Sequence, residues 1–342
     1  MAEPITTQPT QPTQPTQPAS WPIDIDDVRQ ARERISSFLE PTPLREYAPL
    51  NEEIGHGIRV FVKHENHNPT NAFKVRNGLS AVAALTEKER ARGVIAASRG
   101  NHGYGLAYAG HHLGVPITIC VPKENNPEKN AAMRGFGVEL IEQGNDYDDA
   151  VVVAESLARE RGMTLVHSTN NRFVLAGAGT ITLEILEQEP ELDAMVVAVG
   201  AGSQAVGALT VLRALRPAAR VYAVQAAAAP AIYQSWRARK EVTTPTADTF
   251  ADGIATRMPF SLTFGALCDG LEDFVTVSEA EIAAALRLLL RTTHNLTEGA
   301  GAAGVAGLIT LRKRLQGKRV AVILSGANID AATLRRVLTE EL

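Results

Sequence analysis

A chain of 342 residues with a net charge of −4 is long enough to bury a large core, and chains of this size usually divide into two domains. It has no long basic run, which argues against nucleic acid as the main partner, and no stretch of about 18 successive apolar residues to span a membrane. Its two cysteines, Cys120 and Cys268, lie in apolar stretches, so a reducing cytoplasm is expected rather than a disulfide framework.

Residues 5–18 repeat Pro, Thr and Gln with nothing to bury. They predict a disordered, polyproline-like tail over 1–20. No cationic start leads into an apolar run, so no signal peptide is expected. The folded part begins near Ile23. Ile25, Val28, Ala31, Ile35 and Leu39 recur at helical spacing and predict a helix over 24–39, stopped by Pro41 and Pro43. A strand over 59–63 follows. Pro69 then breaks the chain, and residues 72–85 are rich in helix formers. Further strands are predicted over 94–97, 116–121, 138–141, 165–167, 195–199, 220–225, 274–277 and 319–324. Further helices are predicted over 101–113, 127–135, 146–162, 174–188, 204–215, 279–293 and 300–314. Apolar strands between amphipathic helices predict an α/β fold with mainly parallel sheets covered on both faces. Nine strands over this length fit two sheets better than one. Ligands of such sheets sit at the carboxyl ends of strands, so the chemistry belongs in the loops there.

Lys74 falls in the first turn of the helix after Pro69. A helix start carries unpaired N–H groups and partial positive charge, so an ammonium is disfavoured there. A desolvated amine at this place loses its proton more easily and becomes a nucleophile able to form a Schiff base. Three loops add to it. Ser98-Arg99-Gly100-Asn101-His102-Gly103 follows the strand over 94–97 and suits a carboxylate at the next helix start, or is an ordinary capped turn. Gly200-Ala201-Gly202-Ser203-Gln204 follows the strand over 195–199 and forms a nest of N–H donors for a phosphate. A dinucleotide site is the competing reading. It needs an acid at the end of the next strand, where Gln225 stands instead. Ser325-Gly326-Ala327-Asn328 follows the strand over 319–324 and is either a turn or a hydroxyl for a ring nitrogen.

In that order, and with Pro41-Thr42-Pro43-Leu44 and Ala251-Asp252-Gly253-Ile254-Ala255, these motifs resemble the threonine/serine dehydratases (ammonia-lyases) of the tryptophan-synthase β-like pyridoxal-phosphate enzymes. The resemblance runs from about Pro41 onward. It implies two domains, each with a parallel sheet: a large one over 21–91 and 171–342, and a small one over 92–170. It implies that Lys74 holds pyridoxal phosphate, with Phe73 against the ring and Asn101 on its 3-hydroxyl. Gly200, Ala201, Gly202, Ser203 and Gln204 would cradle the phosphate, and Ser325 would face the ring nitrogen. Ser98, Asn101 and His102 would line the substrate carboxylate site, although His102 is equally readable as a structural histidine. Glu298 matches a glutamate near the cofactor or is simply an acid at a helix start. The implied reaction is β-elimination of water from threonine or serine, followed by hydrolysis of the enamine to a 2-keto acid and ammonia, in a cytoplasmic dimer or tetramer with no metal.

Departures from the family pattern leave the substrate open. Arg99 stands where racemases carry a second serine; it either faces solvent or draws a second carboxylate, as in 3-hydroxyaspartate. Tyr104 replaces a glutamine and suits a bulkier side chain such as phenylserine. Ala226 to Ala229 supply no acids for a divalent cation. Feedback control through an additional regulatory domain is not expected. The alternative from another class is a non-catalytic relative that binds a small amino acid or nucleotide.

Overall fold

The computed structural model describes residues 21–145 and 147–342; the predicted tail lies outside the described residues. Among the described residues, ten strands form two sheets. They are β1 (Leu44–Glu46), β2 (Arg59–His64), β3 (Val94–Ala97), β4 (Ile117–Val121), β5 (Glu139–Glu142), β6 (Thr164–Leu165), β7 (Ala194–Ala198), β8 (Arg220–Ala226), β9 (Asp273–Val277) and β10 (Arg319–Leu324). Six make one sheet in the order β1-β2-β10-β7-β8-β9, and four make another in the order β5-β4-β3-β6. Every pairing is parallel except that of β1 with β2. The fold is therefore the α/β arrangement that the sequence predicts.

The strands alternate in the larger sheet. Val60, Val62, Val320 and Val322 enter one core with Leu286 and Leu289 of the helix Glu279–Thr293. Phe61, Ala321 and Ile323 enter the other with Leu175 and Ile181 of the helix Arg172–Gln188. Each sheet face is thus covered, which is why these strands read as nearly continuous apolar runs. β1 differs from expectation. It has three residues just after Pro43, too few to show any alternation, and it caps the sheet edge.

Helix starts place the site. The helix Lys74–Ala83 meets the helix Asn101–Leu113 at Gly78 and Gly105. A Cβ on Gly78 would lie 2.3 Å from the Gly105 carbonyl oxygen, and one on Gly105 would lie 2.4 Å from that of Lys74. Only glycine lets these two backbones touch. The same closeness recurs where Gly177 of Arg172–Gln188 meets the Arg76 carbonyl, and where Gly207 of the helix Ser203–Leu215 meets Gly179. Four helices therefore pack as one row, fixed backbone to backbone. One of them begins at Lys74, and two more begin in the loops over 98–103 and 200–204, at Asn101 and Ser203. Among the described residues, no helix is long and apolar enough to cross a membrane.

Candidate active site

The loop before Lys74 is stitched to the end of β10. The Phe73 N–H donates to the Ser325 carbonyl at 2.9 Å, the Ala327 N–H donates to the Asn71 carbonyl at 2.8 Å, and Ala72 bridges Gly326. Asn71 takes a left-handed conformation, with φ of 52°, to make the turn. The helix then starts at Lys74 with no side-chain cap. Lys74 Nζ lies 4.8 Å from the centre of the buried Phe73 ring and donates to the Ser168 carbonyl at 3.5 Å. No carboxylate pairs with it among the described residues. Protein packs round the amine, and this burial lowers its pKa to about 8. The folded chain therefore holds the ammonium at a cost in stability, which is relieved as pH rises from about 8 towards the free value of 10.5. In cofactor-free protein, Lys74 should react with an acylating reagent with a midpoint near pH 8, as read by mass-mapped peptides. Ordinary surface lysines should titrate near about 10.4.

The asparagine loop is ordered from both sides. Ser98 Oγ accepts from the Gly103 N–H at 2.8 Å and the Gly100 N–H at 3.1 Å, so it caps the helix start. The N–H groups of Asn101 and His102 find no acceptor among the described residues. Asn101 sits in a chain of amides. Its Nδ2 donates to Glu298 Oε1 at 2.8 Å, and its Oδ1 accepts from Asn328 Nδ2 at 2.7 Å; Asn328 Nδ2 also donates to the Thr70 carbonyl. Glu298 occupies the N-cap position of the helix Gly299–Leu311, but its carboxylate makes no cap bond. It reaches across to Asn101 instead, and burial raises its pKa. His102 is buried, and its Nε2 bonds to the Val166 carbonyl at 3.0 Å. Burial, then the charge of Lys74, lower its pKa to about 3, so the ring stays neutral. Arg99 is exposed and pairs with no acid among the described residues. Tyr104 lines a cavity of about 140 Å³ with Gly100, Asn101, Lys129 and Asn328.

The glycine loop offers donors with nothing to take them. Gly202 is left-handed, with φ of 97°, and turns the chain into the helix Ser203–Leu215. The backbone N–H groups of residues 200–205 meet no acceptor among the described residues, and the buried Gln204 Nε2 has none either. Their carbonyls are held from behind: Thr263 Oγ1 donates to Ala201 at 2.8 Å, and Thr256 Oγ1 to Gly200 at 3.3 Å. A run of unspent donors at a helix N-terminus fits a phosphate dianion. Ser325 is buried, and its hydroxyl makes no hydrogen bond among the described residues. No three His, Cys, Asp or Glu side chains among the described residues gather as a metal would need.

The structure adds residues that the sequence reading passed over. Asn328 and Thr70 complete the amide chain. His167 and Ser168 leave β6 beside Lys74, and the Tyr147 phenol hydrogen-bonds the Ser168 side chain. The available signal was position, since His167 stands just past the carboxyl end of a parallel strand.

A family model described as pyridoxal-phosphate dependent enzyme matches residues 35–326. The chain is 35% identical over 320 residues to an L-threonine ammonia-lyase of Thermotoga maritima, covering 94% of this chain and 79% of that one. It is 37% identical over 316 residues to an L-threonine ammonia-lyase of Geobacter sulfurreducens, covering 92% and 78%. Its fold superposes on maize serine racemase with a TM-score of 0.87 at 27% identity, covering 94% of this chain and all of the other. With a family match over most of its length and relatives above 30% identity, the chain belongs to the pyridoxal-phosphate dependent enzyme family.

Proposed function

We propose that the chain is a pyridoxal-phosphate-dependent ammonia-lyase that eliminates water from threonine or serine to release an enamine, which takes up water again and hydrolyses to a 2-keto acid and ammonia. The observation that carries this is Lys74, a desolvated amine with no carboxylate partner among the described residues and a pKa of about 8, in a member of this family. Two relatives named as threonine ammonia-lyases support the reaction class.

Lys74 would hold the cofactor, with Phe73 beside it. Gly200, Ala201, Gly202, Ser203 and Gln204 would bind its phosphate, Asn101 its 3-hydroxyl and Ser325 its ring nitrogen. When bound, the cofactor supplies an electron-accepting ring for charge that develops at the substrate α-carbon. Lys74 Nζ takes the α-proton, and a pKa near the working pH suits a general base. Ser98 shapes the helix start where the free N–H groups of Asn101 and His102 would bind the substrate carboxylate. His102 serves there through its backbone, since its ring is spent on Val166. Glu298 orients the Asn101 amide. Arg99 would face solvent.

Residues 92–170 would act as a small domain that closes on 21–91 and 171–342 and excludes water. The enzyme would work in the cytoplasm as a dimer or tetramer on a small amino acid, without nucleic acid, membrane or metal. The test is a 2-keto acid assay of the loaded protein with threonine, serine, 3-hydroxyaspartate and phenylserine. Product from threonine or serine is expected. Cofactor-loaded protein that forms no keto acid from any of the four would make it a ligand-binding relative.

A further inference from the structure

The turn after β6 holds a hydrogen-bond donor that no described residue uses. His167 Nδ1 accepts from two backbone N–H groups, Thr169 at 3.0 Å and Asn170 at 2.9 Å. A nitrogen that accepts carries no proton, so the neutral ring has its proton on Nε2. Nε2 has no partner among the described residues and is not sealed from solvent. The ring is held in place, edge-on to Phe260 at 5.3 Å between centres. Asn170 Oδ1 accepts from the Leu262 N–H at 3.3 Å, which ties the turn to the same segment of the other sheet's domain. Tyr147 braces Ser168, and the Ser168 carbonyl receives Lys74 Nζ at 3.5 Å. Burial and the nearby charge of Lys74 both disfavour a second proton on the His167 ring.

Resting on the lyase reading above, we propose that His167 determines specificity for the substrate's β-substituent, its Nε2–H donating to the β-hydroxyl oxygen. The amine that takes the α-proton stands next to this turn. The β-carbon is one bond from the α-carbon, so groups bordering Lys74 border the β-substituent too. A neutral donor matches a hydroxyl better than a carboxylate, which would call for a cation. The Phe260 edge leaves an apolar flank for the methyl group of threonine.

The test compares threonine with 2-aminobutyrate, which keeps threonine's carbon skeleton but has no hydroxyl to bind or lose. His167→Phe retains a ring against Phe260 and removes the donor. Cofactor uptake, read by absorbance, should match wild type. The kcat/KM for threonine should fall about 5- to 10-fold, the size expected of one neutral hydrogen bond. The dissociation constant of 2-aminobutyrate, read from the absorbance change on binding, should stay within about twofold. His167→Asn, which returns an N–H donor, should recover part of the threonine loss; it decides the matter if the Phe variant does not load. Equal losses for both ligands, or an unchanged threonine kcat/KM, would overturn the assignment while leaving the lyase reading intact. A loaded wild type that makes no keto acid from threonine or serine overturns the lyase reading and this assignment together.

Discussion

Lys74→Ala protein is expected to be colourless when purified and to lose turnover of threonine by at least about a thousandfold, within the range that general-base catalysis alone contributes. Two losses coincide in one atom, since the same Nζ would hold the cofactor and take the α-proton. Lys74→Arg should be as inactive. A guanidinium with a pKa above about 12 stays protonated at any working pH and supplies no base, whereas burial brings the native amine to about 8. The fold should survive both changes. The helix Lys74–Ala83 is held by its backbone contact with Gly105 and by Phe73 on Ser325, neither of which uses the lysine side chain. Near-native melting, with visible absorbance and turnover both absent, is the expected combination. Because the Ala variant leaves space around the Ser168 carbonyl, millimolar methylamine should return part of the activity. A Lys74→Ala protein that keeps wild-type absorbance, or more than a tenth of the turnover, would remove Lys74 from the centre of the site.

What the sequence made legible was local. Strands 94–97 and 319–324 and helices 101–113 and 279–293 occur with the predicted bounds. Strand 94–97 is an unbroken apolar run, and helix 279–293 opens on the Ser278 capping box. Lys74 could be found because Pro69 and the helix formers after it place a lysine at a helix start. What remained hidden depended on partners far along the chain. The predicted strand 165–167 ends at Leu165, because His167 turns its Nδ1 back onto its own loop. Glu298 could be read as a helix-start acid or as a site residue, and its contact with Asn101, 197 positions away, is not visible in the sequence. Thr42 belongs to a motif quoted for resemblance alone. In the fold it donates to Glu65 at 2.6 Å through its hydroxyl, receives Lys63 Nζ on its carbonyl at 2.7 Å and donates its N–H to Glu184 at 3.2 Å. No periodicity or composition could reveal a cluster assembled from residues 42, 63, 65, 76 and 184.

That cluster sets the second large effect. Arg76 lies two residues after Lys74, fully buried, between two buried carboxylates. It donates to Glu65 at 2.7 and 2.9 Å and to Glu184 at 2.6 and 2.9 Å, so each acid is gripped by two bonds. Glu184 also receives Lys63 at 2.7 Å and Arg32. Among the described residues, Glu65 is otherwise hydrogen-bonded by the Thr42 hydroxyl and the Asn68 amide. Arg76→Met therefore leaves Glu65 buried without its hydrogen-bonded cation, the case in which breaking an ion pair costs about 3–5 kcal/mol. At about 2–4 °C per kcal/mol for a large domain, the melting temperature should fall by roughly 10 °C. Adding Glu65→Gln removes the stranded charge and should restore part of the loss, although one partner fewer remains than in wild type. The pH dependence gives an independent check. Burial would raise the Glu184 carboxyl, but the charges of Arg76 and Lys63 outweigh it and hold the carboxyl below its ordinary 4.5. Its stabilising contribution is complete above that value and is lost as pH falls through the folded pKa. The gap between wild type and Arg76→Met should therefore be widest near neutrality and narrow below about pH 4. A variant that melts within about 2 °C of wild type at pH 7 would mean that Arg76 is not what holds the two buried acids in the fold.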